Sequence, residues 1–145
     1  MSGYLLDTVI LSELRKKTRN AAVVGWFKTV HASDLYLSVL TVGEVERGIV
    51  SQEHLNPPFA RELTTWLDAV ASSYGDRILP VTPSIARRWG RLAGTIGHPG
   101  VDLLIAATAL EHRLTVVTRN VLHFMPTGVA LLNPFEYTAG DLNVR

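Results

Sequence analysis

The sequence predicts an α/β fold in which a central, mostly parallel sheet is flanked by helices on both faces. Short apolar runs, typical of buried strands, alternate along the chain with segments of helical periodicity. The 145 residues are the usual size of one domain, and no linker or internal repeat divides them. Apolar residues make up 47% of the chain and charged residues 19%, which is typical of a globular protein.

Strands are predicted where apolar runs are short, and helices where apolar residues recur every three or four positions. The predicted strands cover residues 4–7, 35–38, 78–81, 115–118 and 129–132. The predicted helices cover residues 9–17, 21–30, 42–50, 58–74, 83–96 and 101–112.

Capping residues and prolines predict where the helices begin and end. Thr41 is expected to cap the third helix, and Glu44, three residues later, fits a capping box. The break at Asn56-Pro57-Pro58 leads into a long helix that Gly75 ends. Thr82-Pro83 is a cap followed by proline and predicts the start of the next helix.

Composition argues against several classes of function. The chain has no cysteine, which removes disulfides, thiolate metal sites and cysteine nucleophiles and suits a reducing compartment. The first residues lack the charged segment of a secretion signal, and no uncharged run is long enough to cross a bilayer. We therefore expect a soluble, cytoplasmic protein that makes no membrane contact.

Charge is balanced overall but grouped locally. The net charge of +1 gives no general field that would attract nucleic acid. Each basic group is either a solvated helix face or a local phosphate-binding surface, and the sequence leaves both alternatives open. The groups are Arg15, Lys16, Lys17 and Arg19; Arg87, Arg88 and Arg91; and Arg113 with Arg119.

Three acidic residues stand beside apolar segments, where an isolated ionised carboxylate is very costly to desolvate. Asp7 follows the first strand, Glu44 follows the second, and Asp102 opens the most apolar helix. In open α/β sheets, ligands bind outside the carboxyl ends of the strands. Asp7 and Glu44 fall at that edge by strand direction, and Asp102 does so only if its helix starts there. Three carboxylates with water would suit Mg²⁺ or Mn²⁺.

Each acid also has a purely structural interpretation. Asp7 can cap the helix that follows it, Glu44 can complete the capping box, and Asp102 can interact with the dipole of its helix. Thr8 and Thr118 offer hydroxyls at the same edge of the sheet, where ordinary hydrogen bonding at strand ends would equally explain them.

Four segments, in this order, resemble the PIN domain and most of all the VapC toxins of bacterial type II toxin–antitoxin pairs. The resemblance extends over nearly the whole chain. The segments are Leu5-Leu6-Asp7-Thr8 with Leu11-Ser12-Glu13, Thr41-Val42-Gly43-Glu44-Val45-Glu46-Arg47-Gly48, Asp102-Leu103-Leu104-Ile105-Ala106-Ala107-Thr108-Ala109, and Val117-Thr118-Arg119-Asn120 with Phe124.

The resemblance implies a PIN-like fold, which we expect over residues 1–138. Residues 139–145 are expected to form a flexible tail. It implies a metal-dependent endoribonuclease that uses Mg²⁺ or Mn²⁺, is inhibited by a VapB-type antitoxin and is commonly a homodimer. Asp7, Glu44 and Asp102 match the acids of the family and are its expected catalytic and metal-binding residues.

The sequence departs from the family pattern at two positions. Val9 replaces an asparagine, and Asn120 replaces an acid near the last predicted strands, with His123 at a position where an acid is also frequent. Asn120 can bind a metal through its carbonyl oxygen but brings no charge. These departures keep open a catalytically weak or inactive PIN-fold protein that binds RNA or antitoxin. A small-molecule phosphohydrolase is disfavoured, because no Asp-x-Asp pair or glycine-rich phosphate loop is present.

Overall fold

The computed structural model describes residues 3–139 and contains a five-stranded, entirely parallel sheet. The α/β fold with a parallel central sheet is thus confirmed. The strands lie in the order β3-β2-β1-β4-β5. They are β1 (Tyr4–Leu6), β2 (Leu35–Ser38), β3 (Ile78–Leu79), β4 (Thr115–Val117) and β5 (Leu131–Leu132). β3 is shorter than predicted: it is followed by Pro80, which has no N–H to donate to a neighbouring strand.

Seven α-helices lie within the described residues, and short 3₁₀ turns lie next to several of the strands. They are α1 (Thr8–Arg15), α2 (Ala21–Phe27), α3 (Val39–Leu55), α4 (Pro57–Tyr74), α5 (Pro83–Ile96), α6 (Val101–His112) and α7 (Val121–Phe124). α7 was not predicted, since four residues are too few to show a helical period. The predicted tail falls almost entirely on residues 140–145, which lie outside the described part of the chain.

The start of α3 differs from the prediction. Ser38 is the capping residue, and its hydroxyl accepts a hydrogen bond from the Leu40 N–H at 3.1 Å. The helix therefore follows β2 directly, and Thr41 lies inside its first turn as a fully buried residue. The predicted capping box is wrong, because Glu44 is in the second turn, beyond the reach of such a motif.

Side chains of neighbouring strand residues point to opposite faces of the sheet, as the pleat requires. Leu5 and Val116 pack on the face covered by α6. Leu6 and Val117 pack on the other face with apolar residues of α1 and α2. α3 and α4 form a third apolar cluster between them. Between residues 3 and 139, no helix is both long and apolar enough to cross a membrane.

The strand order creates a crevice at one edge of the sheet. From the central strand β1 the chain continues to β2 and β3 on one side, and it later returns to β4 and β5 on the other. β1 and β4 are neighbours, and the connections that follow them leave toward opposite sides of the sheet. Such a switch point, at the carboxyl ends of the strands, is where open α/β sheets bind ligands.

Candidate active site

Asp7 lies at this switch point and is held from both sides. It follows β1, caps α1 and is 5% exposed. Its Oδ1 accepts the Thr8 N–H at 2.8 Å, and its Oδ2 accepts the Thr118 hydroxyl at 2.9 Å. Thr118 follows β4 directly, so the carboxylate bridges the two strands between which the connections diverge. Asp7 thus caps a helix, as one interpretation expected, and also faces the crevice.

The three acids predicted from the sequence lie near one another. Burial raises the pKa of Asp7, hydrogen bonds from Thr118 and Thr8 partly oppose this, and the charges of Asp102 and Glu44 raise the pKa further. Asp102 lies at the same edge of the sheet as Asp7, because its Oδ2 is 3.4 Å from Nδ1 of His123 in α7, the helix that begins three residues after Thr118. Strand direction alone could not establish this. Like charges that act on a desolvated carboxylate make its ionised form costly unless a cation is present.

Glu44 is oriented by a chain of hydroxyls. Its Oε1 lies 2.6 Å from the Thr8 hydroxyl, which also lies 3.2 Å from the hydroxyl of the buried Thr41. Thr8 has one hydroxyl proton, and the shorter contact is to a charged acceptor, so Thr8 donates to Glu44 and accepts from Thr41. Thr8 thus contacts Asp7 through its N–H and Glu44 through its side chain.

Asp102 is less constrained than the other two acids. It lies in the first turn of α6, and its side chain is 37% exposed. Its only described polar side-chain partner is His123 of α7, whose Nδ1 lies 3.4 Å from Oδ2. This distance is longer than a well-formed hydrogen bond. The side chain can therefore reorient toward a ligand in the crevice.

Asn120 lies at the same corner but contacts the site through its backbone. Its N–H donates to the Thr118 hydroxyl at 2.9 Å, and thereby orients the group that holds Asp7. The residue is exposed, and its side chain makes no capping hydrogen bond to α7. Its carbonyl oxygen remains available to a ligand. Val9, the other departure from the family pattern, is 43% exposed, and the acids are positioned by the neighbouring threonines instead.

The donor set fits a hard divalent cation. Among residues 3–139, no three His, Asp or Glu side chains are close enough to form a ready-made ligand set. Asp7 and the two acids whose charges act on it nevertheless offer only carboxylate oxygens, the ligands that Mg²⁺ and Mn²⁺ prefer. A cation among them would also reverse the electrostatic penalty on Asp7, since opposite charge favours the ionised form.

Comparison with known proteins agrees with this arrangement. Residues 4–121 match the PIN domain family profile. The chain belongs to the PIN-domain family. Toxin FitB of Neisseria gonorrhoeae is 34% identical over 138 residues, covering 91% of this chain and 98% of FitB. VapC ribonuclease Y4jK of Sinorhizobium fredii is 30% identical over 141 residues, covering 91% of this chain and 97% of Y4jK.

The solved structures agree with the sequence relatives. The FitAcB crystal structure from Neisseria gonorrhoeae superposes on this PIN domain with a TM-score of 0.82 at 34% identity. The alignment covers 92% of this chain and 99% of that one. The predicted PIN fold and the resemblance to VapC toxins are therefore confirmed.

The sequence did not show that threonine hydroxyls position the acids of the PIN-domain site. Thr8 and Thr118 were recognised as hydroxyls at the correct edge, but ordinary strand-end bonding was an equal alternative. Thr41 was assigned to a helix cap, whereas its buried hydroxyl contacts Thr8. The available signal was that a threonine follows Asp7 directly and that two later threonines, Thr41 and Thr118, lie within three residues after a strand. Only the fold brings these hydroxyls to the acids.

Proposed function

We propose that this PIN-domain protein is a toxin that cleaves RNA phosphodiester bonds with Mg²⁺ or Mn²⁺ held by Asp7, Glu44 and Asp102. The observation that supports this most directly is that the charges of Asp102 and Glu44, from two separate helices, both act on Asp7 at the switch point of the sheet. The similarity to a toxin and to a VapC ribonuclease supports the choice of RNA as substrate.

Each residue of the site has a separate role. Asp7 is a fixed ligand, because the Thr8 N–H and the Thr118 hydroxyl hold both of its oxygens. Thr8 orients Glu44, and the looser Asp102 adjusts to the metal and the substrate. When bound, the cation supplies a water of lowered pKa and neutralises charge on the phosphate. Asn120 adds a neutral carbonyl oxygen as a supplementary metal ligand.

The proposal includes the partners that the family resemblance implies. A VapB-type antitoxin neutralises the protein by placing a helix along α1 and α4 and a basic side chain near the acids. These helices adjoin, since the Arg15 guanidinium lies 5.0 Å from the centre of the Phe59 ring. We propose a homodimer as the assembled form. We also propose a cytoplasmic location.

RNA cleavage by purified protein tests the catalytic assignment. We expect the parent chain to cut total RNA at mappable sites when Mg²⁺ or Mn²⁺ is added. Asp7→Asn and Asp102→Asn should each lower the cleavage rate at least a hundredfold, because each removes a charged ligand. Asp68→Asn, which neutralises an exposed acid of α4, is the matched control and should cleave like the parent.

The same experiment separates a nuclease from a PIN-fold protein that only binds. If the parent binds RNA or antitoxin but never cleaves with either metal, the inactive alternative is correct. If Asp7→Asn and Asp102→Asn both retain the parent's metal-dependent rate, the assignment of these acids is wrong. A mock purification from cells that lack this protein identifies the cuts of a contaminating nuclease, which are excluded from the comparison.

A further inference from the structure

Glu13 is a second buried acid that the proposed chemistry does not use. It lies near the end of α1 and is 7% exposed. Its Oε2 accepts the Asn20 N–H at 2.9 Å, and its Oε1 accepts the Lys16 ammonium at 3.0 Å. These two hydrogen bonds lower the pKa of Glu13, and the charges of Lys16 and Arg119 act in the same direction. The ionised carboxylate therefore anchors the loop of residues 16–20.

Arg119 connects this anchored loop to the candidate active site. It follows Thr118, the residue whose hydroxyl holds Asp7. Its guanidinium lies 4.4 Å from the centre of the Phe135 ring, and its charge acts on Glu13. Glu13 is six residues after Asp7, about 9 Å along the helix axis. Cations thus lie beside the site, at Arg119, and at the far end of α1, in the loop that begins at Lys16.

We propose that Lys16, Lys17, Arg19 and Arg119, here termed the α1 basic surface, bind the phosphates of the RNA strand beside the scissile bond. This inference rests on the proposed function and names where its substrate lies. All four side chains are exposed. Among residues 3–139, Glu13 bonds Lys16 and interacts with the charge of Arg119, and no acid is paired with Lys17 or Arg19, so this part of the surface keeps an excess of positive charge. Cations that neutralise phosphates dominate the affinity of proteins for nucleic acid.

The structure favours this basic group over the one on α5. The Arg88 Nε lies 2.9 Å from the Glu111 carboxylate, so its charge is already compensated. Glu111 is nine residues beyond Asp102 on α6, about 14 Å along the helix. Arg87 and Arg91 remain exposed and without a described partner, which makes them matched controls.

The chemistry of the α1 basic surface also favours RNA over a protein segment. A docking helix or strand needs apolar anchors in addition to charge. None of the large exposed apolar side chains lies between residues 16 and 20; along the chain, those nearest to the surface are Val9 at the start of α1 and Leu122, three residues after Arg119. A chain of phosphates needs only regularly placed cations.

Salt-dependent RNA binding tests the inference. The probe is a fluorescein-labelled single-stranded RNA, titrated by anisotropy in EDTA against Asp7→Asn protein, so that cleavage does not interfere. Adding Lys17→Gln and Arg119→Gln should reduce the slope of log K against log salt by about 1.4, since each single-strand phosphate contact contributes about 0.7. Adding Arg87→Gln and Arg91→Gln removes the same charge and should leave the slope unchanged.

A second pair of substitutions controls for the possibility that Arg119→Gln changes the fold. Arg119→Gln loses the contact with Phe135, so Lys17→Gln with Arg19→Gln, which keeps Arg119, should give a similar loss of slope. The inference would be overturned if all variants gave the same slope of log K against log salt. It would also be overturned if the α1 and α5 pairs of substitutions reduced that slope equally. Weakened antitoxin binding with unchanged RNA binding would overturn it too, by making the surface a protein site. RNA cleavage by the otherwise unaltered chain would still uphold the proposed function in each case.

Discussion

Asp7 illustrates, in one side chain, the conflict between stability and function. Burial and the nearby charges of Asp102 and Glu44 make its ionised form unfavourable, and only two hydrogen bonds oppose this. A residue chosen for stability alone would be neutral at this position. Functional sites commonly retain groups that lower stability in this way.

We therefore predict that Asp7→Asn abolishes cleavage and raises the free energy of unfolding at pH 7 by on the order of 1 kcal/mol. The amide still accepts the Thr8 N–H and can donate to the Thr118 hydroxyl. Because the folded-state pKa of Asp7 lies above its ordinary value of 3.8, the parent loses stability as pH rises through the interval above that value. The advantage of the variant should be absent below about pH 3.8 and increase as pH rises.

Urea unfolding in EDTA at several pH values measures this difference. Asp68→Asn, on the exposed side of α4, is the control and should stay within about 0.5 kcal/mol of the parent at each pH. A variant that is less stable than the parent at pH 7, with the same pH profile, would show that the two hydrogen bonds outweigh the desolvation of Asp7.

At the level of elements, the sequence predicted most of the fold, because apolar runs and periodic faces are local features. The five strands and six longer helices lie close to their predicted positions. The start of α3 was not predictable in the same way, since Ser38 and Thr41 are both good capping residues. The choice between them depends on a tertiary contact, because Thr41 is buried against Thr8 of α1.

This assignment predicts that Ser38→Ala lowers the free energy of unfolding by about 1 kcal/mol, the usual loss for a removed helix cap. Ser51→Ala, in the same helix, is the matched control, because its hydroxyl makes only a local 3.3 Å bond to the Arg47 carbonyl. Its effect should remain within about 0.5 kcal/mol. Chemical denaturation of both variants measures the difference. A larger loss in Ser51→Ala than in Ser38→Ala would contradict the position of the cap.

At the level of the whole molecule, the candidate site depends on contacts between distant parts of the chain. Asp7, Glu44 and Asp102 come from the end of β1, from α3 and from α6. The residue types and the strand direction were visible in the sequence. The convergence of Asp102 was not, because the position of α6 depends on how its buried face packs against β1 and β4. The basic residues Lys16, Lys17 and Arg19 were also visible in the sequence, but the approach of Arg119 to Glu13 depends on the fold.

A cation bound by all three acids would connect these distant elements, so metal should stabilise the whole fold rather than one loop. At a hundredfold excess over its Kd, Mn²⁺ should raise the free energy of unfolding of the parent by about 2.7 kcal/mol. Hydrogen exchange should slow at the end of β1, in the first turns of α3 and in the first turn of α6 together. Asp102→Asn should weaken protection in all three segments, because a ligand shared among them is lost, whereas Asp68→Asn should keep it. Protection confined to α6, or unchanged in Asp102→Asn, would mean that the three acids do not share one ion.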